Sequence, residues 1–279
     1  MRPSDLGFAN SVRALAGWNQ TDQDWRRFLH CEPEGCFVAE WDGSPVGTAT
    51  TTCYSSELGW IGMMLVHPDY RQHGIGSALL RHCLDHLRAR GVRGVKLDAT
   101  PLGQVLYERF GFQPELTLTR WEILSAQLIL GAPSSSEVQP GKAEDLEQIA
   151  ALDREAFGTL RIGLLGQLAN GCAHFVVQRG FNREITGYGM ARKGSRAFYL
   201  GPVAAKLWGN GTAIIERLLS MLPGQPVFWD VFDGNAAATA LARTLGFTAQ
   251  RHLLRMFHGE NLVLGDPNLQ FAIIDPAVG

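Results

Sequence analysis

The sequence predicts a mixed α/β fold, with helices packed on a mixed sheet, built twice in tandem. Three observations predict it. The apolar run Leu58–Val66 leads into a glycine-bearing loop, Arg71-Gln-His-Gly74-Ile-Gly76, and then into a helical pattern. Helical and strand-like segments follow in the same order in both halves. The landmarks also recur at a fixed interval: Gly74 and Gly76 return as Gly209 and Gly211, and Gly111-Phe112 as Gly246-Phe247, each 135 residues on.

In the first half, Ser4 or Asp5 is placed to cap a helix carrying Phe8, Val12 and Leu15. Thr21 caps a second helix with Trp25, Phe28 and Leu29. Cys36–Trp41 and Pro45–Tyr54 read as strands about an Asp42-Gly43 hairpin turn, and Leu58–Val66 as a third strand. Ser77–Arg90 is a helix whose Leu79, Leu80, Cys83, Leu84 and Leu87 share one face. Arg88 and Arg90 suit its last turn, and Gly91 closes it. A strand at Val95–Asp98, a helix near Leu102–Phe110 and extended chain over Gln113–Trp121 complete the half.

The second half repeats this order. Lys142–Phe157 and Thr159–Ala169 read as helices; Ala173–Gln178, Ile185–Lys193 and Arg196–Val203 as strands; Ile214–Leu222 as a helix ended by Pro223-Gly224. Val227–Phe232 is a strand, Asn235–Leu245 a helix and Ala249–His258 extended chain. The apolar face of the long helix recurs as Ile214, Ile215, Leu218, Leu219 and Leu222. The expected domains are 1–124 and 138–279, joined by a linker at 125–137 that holds Gly131-Ala-Pro-Ser-Ser-Ser136.

Composition narrows the function. The 279 residues are 46% hydrophobic and 19% charged, a globular balance able to fill two cores. The net charge of −2 and the lack of a dense Lys/Arg block disfavour nucleic acid as a partner. The apolar runs are too short to span a bilayer, and no signal-peptide pattern opens the chain, so the expectation is a cytoplasmic protein without membrane partners. Five scattered cysteines fit reduced, buried thiols rather than a disulfide framework. Cys31 and Cys36 have no matching pair, so no metal is expected.

The strand–loop–helix at 59–77 carries the chemistry. Glycines let backbone approach an anion, helix-start N–H groups point at it, and the helix dipole adds roughly half a positive charge there. This suits a pyrophosphate. A dinucleotide fingerprint needs glycine where Leu79 stands, and a Walker loop needs a Gly-Lys-Ser/Thr that is absent.

With Arg71, Gly74 and Gly76 meeting the loop pattern, and Tyr107 shortly before Gly111-Phe112, the first half resembles the GNAT superfamily of acetyl-CoA-dependent N-acyltransferases. The second half is similar to the divergent C-terminal domain of tandem bacterial GNAT proteins. The start departs from the family pattern: only Met1-Arg2-Pro3 precedes the first helix, where a full strand is usual.

The resemblance implies acetyl-CoA as cosubstrate. Its pyrophosphate would lie on Arg71, Gln72, His73, Gly74, Ile75, Gly76 and Ser77, and its pantetheine arm along Met64, Leu65 and Val66. Thr100 and Tyr107 would complete the site. Tyr107 is the expected general acid for the leaving thiolate. Glu57 and Asp98, at strand ends, are the candidate bases. His67, before Pro68, reads better as a turn residue, and Asp22 and Asp24 as helix-start carboxylates.

In the second copy Lys206 stands for Arg71 and Ala242 for Tyr107. Pro202 faces Leu65 in the strand alignment, and Trp208 falls where phosphates would lie. That copy is expected to be non-catalytic, to bind acetyl-CoA poorly or not at all, and to wall the acceptor cleft. The leading expectation is N-acetylation of a small-molecule amine by direct attack on the thioester, in a monomer or homodimer. The alternatives are acetylation of a protein or peptide amine, or a non-catalytic acyl-CoA sensor.

Overall fold

The computed structural model describes residues 1–126 and 138–279; most of the expected linker, 127–137, lies outside the described residues. The first half holds α1 (Leu6–Leu15), α2 (Asp22–Cys31), β1 (Cys36–Trp41), β2 (Ser44–Cys53), β3 (Gly59–Val66), α3 (Ile75–Ala89), β4 (Gly94–Ala99), α4 (Pro101–Arg109) and β5 (Gln113–Ile123). The second half holds β6 (Val138–Pro140), α5 (Leu146–Phe157), α6 (Ile162–Gly171), β7 (His174–Arg179), β8 (Ile185–Lys193) and β9 (Phe198–Ala205). After these come α7 (Trp208–Ser220), β10 (Val227–Phe232), α8 (Ala236–Thr244), β11 (Thr248–Gly259) and β12 (Gln270–Ala272). The mixed α/β architecture read from the sequence is present in both halves.

Three local expectations are corrected. A 3-10 turn at Pro3–Asp5, fixed by the Arg2 N–H donating to Asp5, rotates the phase of α1. The buried face is therefore Leu6, Ala9 and Val12, and Leu15 is 59% exposed. Helix α7 begins at Trp208, six residues before the expected Ile214, because its glycines join the helix instead of a loop. The short strands β6 and β12 were invisible to pattern reading, since three residues carry no period. β6 pairs antiparallel with β7 and supplies the opening strand of the second copy. In the first copy the Met1 amine reaches Cys36 O at 2.7 Å instead.

By compactness the chain divides into two units that do not follow the duplication. Unit 1 is Met1–Glu115 with Leu254–Leu262 and Pro276–Gly279; unit 2 is Leu116–Leu253 with Val263–Asp275. The end of β11 thus belongs to the first unit, and most of β5 to the second.

In unit 1 the strand order is β1-β2-β3-β4, and β4 is then covered by residues 254–259 of β11, antiparallel from Leu254↔Ala99 to Gly259↔Gly94. Without that strand β4 would present a bare row of N–H and C=O groups. One face of the sheet packs on α3, whose Leu79, Leu80, Cys83, Leu84 and Leu87 are all buried as expected, together with Ile61, Val95, Leu97, Tyr107 and Met256.

In unit 2 the order runs from β5 through β10, β9, β8 and β7 to β6, with β12 on β9 and the first half of β11 beside β5. Its core gathers Ile214, Ile215, Leu218 and Leu219 of α7 against Val203, Val227, Trp229 and Phe247.

Among the buried ion pairs, one in each unit joins a final strand to its neighbour. In unit 1, Arg255 of β11 grips Asp98 of β4 through two hydrogen bonds of 2.8 and 2.9 Å and stacks over Trp60 at 4.6 Å. In unit 2, Arg120 of β5 grips Asp230 of β10 at 2.7 and 2.6 Å and lies over Tyr199. Each pair locks a final strand to its neighbour.

Candidate active site

In unit 1, β3 and β4 start as parallel partners and then part. They pair only at Gly59↔Val95 and Trp60↔Lys96. A bulge drives β3 away: the register against β2 shifts between Thr48 and Thr50, and Met63 opposite is held at φ +48, stabilised by the Thr48 hydroxyl donating to Met63 O at 2.8 Å. A buried non-glycine residue in the left-handed region costs of order 1–3 kcal/mol and persists only where the surroundings enforce it. The gap that results runs beside Met64, Leu65 and Val66. The His67 N–H bonds to Val46 O on the β2 side, so alternation turns the Val66 amide toward the gap.

The end of β3 feeds the loop. A 3-10 turn at Pro68–Tyr70 is capped by the His67 ring, which accepts the Asp69 N–H at 3.4 Å. Arg71 follows, its Nε donating to Val66 O at 3.3 Å, and His73 Nδ1 lies 2.8 Å from Arg71 O. Gln72 and Gly74 both adopt left-handed backbone, at φ +67 and +79, which turns successive amides to one side. Helix α3 starts at Ile75, and its first internal bond is Ala78 N–H to Gly74 O. Among the described residues, no group accepts the backbone N–H of Gln72, His73, Gly74, Ile75, Gly76 or Ser77. Six amide donors with a helix dipole behind three of them form a cradle that favours an anion.

Thr100 caps α4, its hydroxyl accepting the Gly103 N–H at 3.3 Å. Tyr107, about two turns on, is 8% exposed and packs in the same core as Met64 and Val66. Its ring lies against Gly103, where an added Cβ would sit 2.8 Å from Cε2. Burial, and then the neighbouring Cys83, push its hydroxyl above the ordinary tyrosine range.

Both candidate bases are held in ion pairs. Asp98 is consumed by Arg255, and its side chain is fully buried. Glu57 is exposed and pairs with Arg93 at 3.3 Å, before the first residue of β3. Eight residues of strand separate it from the loop, roughly 25 Å at about 3.3 Å each. His67 caps a turn, Asp22 pairs with Arg26, and Asp24 holds Arg27 and the start of α2. Sequence reasoning missed Met63 and Thr48, since neither residue type announces a bulge.

The second copy lacks the cradle. Only Lys206 and Leu207 separate β9 from α7, and the N–H groups of Asn210 and Gly211 are already paired with Leu207 O. Trp208, expected at the phosphate position, is the first residue of α7 and 72% exposed. The cradle is lost by extension of the helix, not by a side chain filling it. Ala242, in place of Tyr107, is buried.

All five cysteines are unbridged. Among the described residues, no helix is long and apolar enough to cross a membrane, and no three His, Cys, Asp or Glu side chains are grouped to hold a metal ion.

Residues 8–112 match the acetyltransferase (GNAT) family, and residues 149–272 match an acetyltransferase (GNAT) domain. A curated relative, the uncharacterized N-acetyltransferase YitH of Bacillus subtilis, is 24% identical over 219 residues, covering 78% of this chain and 76% of that protein. A crystal structure from Pyrococcus horikoshii assigned to the acetyltransferases superposes with a TM-score of 0.86 at 22% identity, over 100% of this chain and 94% of that one. A tandem GNAT protein from the clavulanic acid biosynthesis pathway superposes at 0.69 with 17% identity, over 92% and 95%.

Proposed function

The chain belongs to the GNAT acetyltransferase family, with one copy in each half, and is an acyltransferase; from that premise we propose that its first copy transfers the acetyl group of acetyl-CoA to the primary amine of a small molecule. The observation that carries the reading is the parting of β3 from β4 beside six unpaired amides. Acetyl-CoA bound there supplies an acyl thioester. The N–H groups of Gln72–Ser77 hold its diphosphate, with Arg71 adjacent. The free edge of β3 at Met64–Val66 hydrogen-bonds its arm as a neighbouring strand would. An edge N–H is also placed to stabilise negative charge on the acyl oxygen.

Tyr107 holds a proton at its hydroxyl for the departing sulfur. Its raised pKa keeps that proton in place at neutral pH. With Asp98 and Glu57 committed elsewhere, the acceptor reacts as the free amine. At pH 7 that costs an alkylamine of pKa about 10 roughly 4 kcal/mol, and positioning of the two reactants offsets it.

A small acceptor is supported by the far face of β3. There Ala277 lies against Gly62, Trp60 Nε1 donates to Pro276 O, and Tyr54 OH donates to Val278 O. This covered surface suits a compact amine better than a folded protein.

The test is thiol release from acetyl-CoA across a panel of small amines, peptides and proteins. Turnover highest with a small amine supports the reading. Turnover confined to peptides or proteins, or CoA binding without turnover, overturns it.

A further inference from the structure

The gap between β3 and β4 has a counterpart in unit 2, and there the chain itself fills it. β9 and β10 pair in parallel only as far as Leu200 and Trp229. Beyond that point β12 enters, antiparallel to β9 at Val203 and Ala204. Ala205 N–H donates to Leu269 O at 3.0 Å, and Ile273 N–H crosses to Asp230 O on β10 at 3.2 Å. Trp229 Nε1 donates to Phe271 O at 2.6 Å. Asn235, the cap of α8, donates to the carbonyls of Pro267, Asn268 and Gln270 as the segment arrives. Arg192 holds its departure, donating to Ile274 O and to Asp275.

The segment also covers the glycine that corresponds to the phosphate loop. Gly211 is the counterpart of Gly76. The Phe271 ring, 2% exposed, lies 2.4 Å from where a Cβ on Gly211 would be. In the first copy the same position meets Leu106 at 3.4 Å and Val66 at 3.8 Å, ordinary contacts that leave room for a side chain's first atom.

We propose that residues Leu269–Ile274 are the resident ligand of the second copy's cleft, an internal strand lying where the first copy takes the arm of acyl-CoA, so that each chain holds one acyl-CoA, in unit 1. The inference rests on the reading of the first copy's gap given above. It is stronger than a loss of binding residues alone. A tethered strand meets its cleft at a millimolar effective concentration and pays no translational entropy, so free cofactor competes poorly with it. Both walls are engaged, through β9 by main-chain pairing and through β10 by Trp229 and Asp230.

Amide hydrogen exchange on the full chain, with and without saturating CoA, tests it. Exchange is expected to slow over residues 72–77, to stay unchanged over 203–211, and to remain slow over 269–274. Slowing at 203–211, or faster exchange over 269–274 when CoA is added, overturns the inference. Absence of any effect at 72–77 overturns instead the reading of the first copy, because the two readouts lie on different segments. In a second arm, Phe271→Ala is expected to accelerate exchange over 269–274 by about tenfold or more, since local opening follows the loss of buried contact. Gly211→Ala, which pushes a methyl group against the ring, is the milder substitute if the first variant does not fold. Unchanged exchange over 269–274 in the folded variant overturns the proposal.

Discussion

At the residue scale, two side chains named from the sequence have opposite fates. Tyr107 is buried in the core of unit 1, with its hydroxyl pKa raised by burial. Tyr107→Phe is expected to lower kcat roughly 100-fold, the range of a positioned general acid, with KM for acetyl-CoA within about twofold. Because the hydroxyl stays protonated, kcat/KM should climb with pH along the acceptor amine's own titration and show no fall below about pH 10. A bell-shaped profile with a descending limb near pH 8 would count against this role.

Asp98, also legible as a carboxylate at a strand end, is instead a strut for Arg255. Asp98→Ala removes the buried carboxylate that Arg255 grips and should cost about 3–5 kcal/mol, read by urea unfolding. Its twin Asp230 predicts a pH dependence. Burial raises the Asp230 pKa, but the Arg120 charge and hydrogen bonds outweigh burial and lower it overall. A depressed folded pKa contributes stability above the ordinary value near 3.9, and that stability is lost as pH falls through the folded value. Urea midpoints should therefore drop steeply below about pH 4 in the parent, and less steeply once Asp230→Asn and Arg120→Met remove the pair together. The sequence could not show these roles, because both partners lie more than a hundred residues apart in the chain.

At the scale of elements, the two glycine pairs looked identical in the sequence, yet only Gly74 stays in a loop, while Gly76, Gly209 and Gly211 lie in helices. Gly74 is left-handed and unencumbered, while Gly209 sits in the first turn of α7 with no neighbour near its Cβ direction. Gly74→Ala should cost about 1–2 kcal/mol through its backbone alone and weaken CoA binding. Gly209→Ala should be neutral or stabilising by up to about 1 kcal/mol, as in any helix. Thermal melts of the two variants, with CoA titrations, check the contrast. The strong helices and strands were legible because each has a clear period and a buried face. The bulge at Met63 and the strand β12 were not, since tertiary pairing rather than local preference forms them.

At the scale of the whole molecule, the duplication was legible but the exchange of strands was not. Contiguity suggests that residues 1–124 fold alone. Unit 1 also needs Leu254–Leu262 and Pro276–Gly279, which cover β4 and pack on Gly62. A fragment of residues 1–124 is therefore expected to be insoluble or to show no cooperative melt. Adding a peptide of residues 248–279 should restore a two-state transition by circular dichroism. A cooperative melt of the fragment by itself would show that the covering strand is dispensable.

The late position of the strand that covers β4 has a cost during synthesis. Most of a growing polypeptide leaves the ribosome before the partner for that edge exists, so the early-made sheet waits with an adhesive margin exposed. Contacts of such long sequence separation form slowly. The expected outcome is that soluble yield on expression in a cell rises when chaperones are co-expressed; an unchanged yield would count against it.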